Sequence, residues 1–289
     1  MGLIRPTRRL QPVALTLAGS DSGGNAGMQA DLRVFHDFGV HGCTAITALT
    51  AQNPDGVRAV QAVSPAFLRA QLAAIFEVYD VRAIKTGMLH NARLIEAAAL
   101  FLRKHPAIPL VVDPVMVATS GARLLENNAV ATLVRRLLPL ATLITPNIPE
   151  AEVLLGYALP DPLAAGEAAR VLAERFGCAV LVKGGHGSRK DQACDWLCIG
   201  KRLYQVRTAV VRQPLSLHGT GCTLSAAITA ALATGAPLTN AVAAGKAYVY
   251  DAIRSGCRVG PQAAVLGQVR RIQSSRACCA RLLRLQTGA

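Results

Sequence analysis

Aromatic residues are scarce in this chain of 289 residues. Phe, Trp and Tyr make up 4% of it, with a single Trp. Proteins that grip nucleic acid by stacking need such rings, so a net charge of +14 does not by itself point to nucleic acid. Acids are missing from both ends. Residues 1–10 and 254–289 hold none, yet carry ten arginines, from Arg5, Arg8 and Arg9 to Arg281 and Arg284. The stretch between them holds 21 basic and 17 acidic residues, a net of only +4. Solvated basic ends without a nucleic-acid partner are therefore the expectation.

Other absences narrow the class further. No Pro/Gly/Ser-rich linker or low-complexity tract divides the sequence, and 52% of it is hydrophobic. One domain over residues 1–289 is expected. No run is long and apolar enough to span a bilayer, so no membrane association is expected. Val13–Ala18 follows arginines as a signal core would, but it is short and runs into Gly19-Ser20-Asp21. The eight cysteines show no paired Cys-x-x-Cys spacing, and Cys194 and Cys198 lack histidines at zinc-site spacing. Reduced thiols in a cytoplasmic protein are the natural reading.

What is present is alternation. Short apolar, β-branched runs at Val13–Ala18, Gly42–Thr50, Ala83–Thr86, Leu110–Val112, Thr142–Thr145 and Ala179–Lys183 are separated by stretches of helical periodicity. Those stretches are Ala26–Phe38, Pro65–Tyr79, Asn91–Lys104, Asn127–Leu138 and Pro162–Phe176. Trp196–Ile199 and Leu203–Val211 read as an antiparallel hairpin, followed by helices at about Thr223–Thr234 and Leu238–Arg254. Such a chain builds an α/β fold, a mainly parallel central sheet with helices on both faces. Ligands bind such sheets at the carboxyl ends of the strands. Polar clusters fall there repeatedly: Gly19-Ser20-Asp21, Gln52-Asn53, Lys85-Thr86-Gly87, Asp113, Thr145-Pro146-Asn147 and Lys183-Gly184-Gly185-His186. One such cluster is ordinary loop chemistry; six at corresponding ends suggest a shared cleft.

The most informative stretch is His218-Gly219-Thr220-Gly221-Cys222-Thr223, leading into a run of small and apolar residues. A glycine turn opening a helix gathers free backbone N–H groups and the positive end of the helix dipole, which together bind phosphate. The same field favours a thiolate at Cys222. The plain alternative is helix capping with a small buried cysteine.

These segments resemble the ribokinase-like superfamily, and within it the hydroxymethylpyrimidine/phosphomethylpyrimidine kinases of thiamine biosynthesis. The resemblance rests on Ala18-Gly-Ser-Asp-Ser-Gly-Gly-Asn-Ala-Gly-Met-Gln-Ala-Asp-Leu32, Ile46-Thr-Ala-Leu-Thr-Ala-Gln-Asn53, Lys85-Thr-Gly-Met-Leu89 and Val112-Asp-Pro-Val-Met-Val117. It continues through Leu143-Ile-Thr-Pro-Asn-Ile-Pro-Glu-Ala151, Val182-Lys-Gly-Gly-His186 and His218-Gly-Thr-Gly-Cys-Thr-Leu-Ser225, in the family's order. It covers about residues 13–262, leaving 263–289 as a basic extension with Cys278-Cys279, in which Leu282-Leu283-Arg284-Leu285 reads either as part of a loose tail or as a docked helix.

The resemblance implies a three-layer ribokinase-like sandwich, a homodimer, and ATP with Mg²⁺ as cofactors. It implies phosphorylation of 4-amino-5-hydroxymethyl-2-methylpyrimidine and then of its monophosphate. Cys222 takes the place where sugar-kinase relatives carry an aspartate base, and Gly219, Thr220, Gly221 and Lys183 surround the transferred phosphoryl group. Asn147, Lys183, Gly219 and Gly221 are the ATP contacts, and Glu150 and Asp113 the metal contacts. Asn147-x-x-Glu150 also has the form of a helix cap. Asp31, Gln52, Met88 and Gly19 are the expected pyrimidine contacts; Gln carries the donors and acceptor that match an aminopyrimidine edge. Two rivals remain: a pyridoxal-type vitamin kinase and a non-catalytic pyrimidine-binding module. Departures from the family are Asn25 where close relatives have Gly, Ser216-Leu217 where they read Asn-Thr, and Gly256-Cys-Arg-Val-Gly-Pro261 without the family's histidine.

Overall fold

The structure is a computed structural model. It describes residues 10–117, 124–126, 128–161, 164–184, 192–211, 218–260, 263–267, 269 and 281–284. Pro162, Gly185-His186, Ser216-Leu217, Pro261 and Cys278-Cys279, all named above, lie outside the described residues.

Among the described residues, six parallel strands form the centre of a ten-stranded sheet: β1 (Val13–Asp21), β2 (His41–Asn53), β4 (Val81–Thr86), β5 (Leu110–Val112), β6 (Leu143–Ile144) and β7 (Ala179–Val182). β1 lies between β2 and β4, so the chain leaves β1 in one direction and later returns on its other side. Such a reversal opens a crevice at the strand ends. Antiparallel strands close the edges: β3 (Gly56–Ala62) beside β2, and β8 (Gln192–Ile199), β9 (Arg202–Ala209) and β12 (Arg281–Arg284) beyond β7. A separate two-stranded ribbon pairs β10 (Cys257–Arg258) with β11 (Ala264–Val265).

Alternation along the strands sorts their side chains into two cores. Leu110 and Val112 of β5 face one, Val111 the other; Val180 and Val182 of β7 oppose Ala179 and Leu181 in the same way. The first core is covered by α2 (Pro65–Phe76), α3 (Ala92–Leu102), α4 (Ala129–Thr132), α5 (Ile148–Leu155) and α6 (Ala165–Phe176). The second is covered by α1 (Gly27–Asp37), α7 (Thr220–Ala233) and α8 (Leu238–Arg254). This is the expected three-layer ribokinase-like sandwich. Ala226, Ala227, Ala230 and Ala231 are buried and small, which lets α7 lie close under the sheet. Ser64 and Asn91 cap α2 and α3, each accepting from the amide three residues on.

Several local expectations are corrected. The expected helix over 127–138 breaks up: α4 passes into a π turn at Leu133–Leu137 and a 3₁₀ turn at Leu138–Leu140. Pro139 has no N–H to continue the ladder, and the amide of Leu138 reaches back five residues to Leu133. β3 was not expected, and α5 only through the cap form of Asn147-x-x-Glu150. Asn53 Oδ1 accepts from the amides of Asp55 and Gly56 and turns β2 into β3. Leu282-Leu283-Arg284 is neither loose nor helical: its backbone adds an edge strand, Leu282 paired with Val206 and Leu283 with Gln205.

Candidate active site

At the carboxyl end of β1, Asp21 organises the glycine-rich loop. Its carboxylate accepts from the amides of Gly23 (2.8 Å), Asn25 (2.9 Å) and Ala26 (2.8 Å). The left-handed positions of this loop are Gly24 and Gly27, with φ of +73° and +57°. Asn25 does not take a left-handed conformation, so its departure from the family glycine leaves the turn intact.

The loop packs against the start of α7. Gly219 is the N-cap, with φ +86°, and a β-carbon there would overlap the carbonyl oxygen of Asn25. The helix starts at Thr220, three residues earlier than the sequence suggested, so Thr220, Gly221 and Cys222 form its first turn. Their amides have no partner within the helix and border a cavity of about 530 Å³.

The opposite wall comes from β5, β6 and β7. Lys183 N donates to Pro146 O (2.8 Å), extending the β6–β7 pairing so that Asn147 and Lys183 stand side by side. Lys183 Nζ lies 2.9 Å from Asp113 Oδ1 and 3.9 Å from Glu150 Oε2. Ser225 Oγ donates to Asp113 Oδ2 (3.2 Å). Burial disfavours the Asp113 carboxylate, but Lys183 and Lys85 outweigh it and hold its pKa below the ordinary value. Burial raises Glu150 despite Lys183. Asn147 and Glu150 do form the capping box of α5: Asn147 Oδ1 accepts from the Glu150 amide (2.8 Å), and Glu150 Oε2 from the Asn147 amide (2.9 Å). The cap also points Glu150 at Lys183.

Asp113 and Glu150 are two carboxylates beside one ammonium. Among the described residues, no three His, Cys, Asp or Glu side chains gather into a metal cage. This donor set fits Mg²⁺, which keeps most of its waters and binds through one or two carboxylates plus phosphate.

The same cavity is lined by Gly19, Gln52 and Met88. A β-carbon on Gly19 would stand 2.5 Å from Met88 Cε, so glycine there lets Met88 reach across. Gln52 is fixed by its backbone, its amide and carbonyl both bonded to Ser22 Oγ at 2.8 Å.

Two expectations about this site are corrected. Asp31 does not line the cavity. It is fully buried on α1, accepting from Thr16 Oγ1 (2.7 Å) and Lys85 Nζ (2.9 Å). Nor does the helix field make Cys222 a thiolate. Burial pushes its thiol up to about 11; Lys85 and the Gly27 amide pull it down, and the carboxylates of Asp113 and Asp31 oppose them. Desolvation and two carboxylates outweigh the helix end.

The fold also brings in residues to which sequence reasoning gave no individual role: Lys85, named only within a strand-end cluster and a family motif, and Lys246. Lys85 borders the cavity from the end of β4. Its signal was a lysine inside an apolar strand. Lys246 of α8 is paired with Asp195 of β8 at 2.6 Å, and Asp195 Oδ1 accepts from the Gly184 amide (3.1 Å), steadying the turn after Lys183. Nothing in the local sequence joins residues 51 positions apart.

The phosphomethylpyrimidine kinase family model matches residues 21–267. This chain belongs to the phosphomethylpyrimidine kinase family. A hydroxymethylpyrimidine/phosphomethylpyrimidine kinase of Rhizobium meliloti is 47% identical over 248 residues, 86% of this chain and 92% of the relative. The phosphomethylpyrimidine kinase structure from Clostridium difficile is 40% identical, with a TM-score of 0.72 over 84% of this chain and all of the other. The pyridoxal kinase of Staphylococcus aureus in complex with ADP is 31% identical, with a TM-score of 0.85 over 96% of this chain and all of the other. The family's kinases thus share their fold with vitamin kinases of a second specificity. Among the described residues of this member, no helix is long and apolar enough to cross a membrane.

Proposed function

We propose that the chain phosphorylates the alcohol of 4-amino-5-hydroxymethyl-2-methylpyrimidine with ATP, and then phosphorylates the monophosphate to the diphosphate, in thiamine biosynthesis. The observation that carries this reading is one cavity lined by two chemically different sets of residues. Gly19, Gln52 and Met88 offer an amide and an apolar wall to a methylated aminopyrimidine; Lys183, Asp113, Glu150 and the first turn of α7 offer a charged cradle to phosphate.

Phosphoryl transfer depends mainly on positioning and charge neutralisation. Lys183, anchored by Asp113, brings an ammonium to the transferred group, and the amides of Thr220, Gly221 and Cys222 face the charge that develops on it. Asn147 borders the same space. Asp113 and Glu150 would hold Mg²⁺ that arrives with the nucleotide, and that ion supplies further neutralisation of phosphate charge. Cys222 is the candidate base for the alcohol. With its pKa at about 11, the thiol form dominates at neutral pH, so positioning carries most of the rate there. The monophosphate is already ionised and needs no base.

The likeness to a pyridoxal kinase makes pyridoxal the informative competitor. ADP release measured on the pyrimidine alcohol, its monophosphate and pyridoxal tests the reading: the two pyrimidines should give the higher kcat/KM, and preference for pyridoxal would overturn it. Binding without turnover would mark a sequestering module. A homodimer in the cytoplasm, built from one kinase domain, completes the proposal; light scattering and cell fractionation test it.

A further inference from the structure

The cavity has a second cation that the reading above does not use. Lys85 is fully buried at the end of a strand that is otherwise mostly apolar. Its Nζ lies 2.9 Å from Asp31 Oδ2, and among the described residues Asp31 is its one hydrogen-bonded acceptor. An ammonium has three donors. Burial works against the charge, but the carboxylates of Asp31 and Asp113 outweigh it and raise the Lys85 pKa. A buried ion pair is often no more stable than an apolar pair of the same volume, so packing alone does not call for one here.

The position of the charge gives a reason. Lys85 abuts the cavity wall at Gly87; a methyl group on Gly87 would sit 3.2 Å from Nζ. Met88 follows that glycine in the chain and reaches across to Gly19, and both line the cavity. Lys183, by contrast, is held between Asp113 and Glu150. Lys85 and Lys183 thus reach the cavity from different strands, each bonded to a different carboxylate, Asp31 and Asp113.

We propose that Lys85 supplies the positive charge that lets a phosphate act as acceptor, so that it decides the second phosphorylation more than the first. This rests on the two-step function proposed above. In that second step an acceptor-phosphate oxygen forms a bond to the γ-phosphorus, the bond from that phosphorus to the β–γ bridging oxygen breaks, and ADP leaves with the electron pair. No proton is removed. The obstacle is repulsion between two anions in a cavity already bordered by Asp21, Asp113 and Glu150. A fixed cation in a region of low dielectric acts strongly on such a charge. The alcohol brings no charge and gains less from it.

The test uses the full chain with Lys85→Met/Asp31→Asn, which removes both charges and strands neither. Its kcat/KM on the monophosphate should fall at least about 100-fold, and on the alcohol no more than about tenfold, with ADP affinity and melting temperature near wild type. Lys85→Arg should restore part of the monophosphate activity. An equal fall on both acceptors, or none on either, overturns the inference. Should the double variant fail to fold, Lys85→Gln is judged by the same ratio. Wild-type enzyme that turns over neither acceptor defeats the functional reading itself, and this inference with it.

Discussion

Gly219→Ala probes the contact that builds the phosphate end of the cavity. Gly219 has φ +86°, and its missing β-carbon leaves room for the backbone oxygen of Asn25. Two penalties follow. A side chain in the left-handed region costs about 1–2 kcal/mol. Overlap with backbone, which cannot rotate away, adds about 1–3 kcal/mol as overpacking. Together they reach roughly 2–5 kcal/mol, or a fall of about 4–10 °C in melting temperature at roughly 2 °C per kcal/mol for a chain of this size. Gly235, at the other end of α7, supplies the control. Its φ is +89°, and nothing lies within 4 Å of its missing β-carbon. Gly235→Ala should show the first penalty alone, about 2–4 °C, with unchanged kcat. In Gly219→Ala the first-turn amides must shift, so kcat should fall about 100-fold or more. Scanning calorimetry and ADP release on the two variants separate the effects. Equal melting temperatures and wild-type kcat in Gly219→Ala would refute the contact as the organiser of the anion site.

Other outcomes follow from the same geometry. A base at Cys222 with a pKa of about 11 is active only when deprotonated, so kcat/KM for the alcohol should climb about tenfold per pH unit from 7 to 10. The monophosphate rate should stay nearly flat over that range; a flat profile for the alcohol removes Cys222 as the base. Alkylation of Cys222 in the free enzyme, followed by mass spectrometry of its peptide, should rise with the same slope, and a plateau below pH 8 would contradict the raised pKa. Gly19→Ala meets only the flexible end of Met88, so it should leave melting nearly unchanged and raise the acceptor KM several-fold; an equal rise in the ATP KM would place Gly19 elsewhere. Removing residues 268–289 deletes β12 and uncovers the edge of β9, so melting should drop by a few degrees and aggregation increase while turnover persists. An unchanged melting curve would show that the strand contributes nothing.

The sequence by itself determined the layered fold, because strands buried on both faces must be apolar throughout and helices between them must repeat every three to four residues. It also located the strand ends, and with them Lys183, Asp113, Asn147 and Gln52, because polar residues interrupt those patterns where the chain leaves the sheet. Tertiary structure decided what the local pattern does not encode. Asp31 sits in a motif rich in functional residues, yet α1 turns it inward to Lys85, 54 positions away. Cys222 starts a helix, which favours a thiolate, yet its ionisation is set by how much protein surrounds it and by two distant carboxylates, Asp113 after β5 and Asp31 on α1. Lys85 looked like punctuation and became a buried charge beside the cavity. Hydrophobic periodicity is local and survives in the linear chain; desolvation and Coulomb forces act through space, and only the packed chain fixes which charges are neighbours.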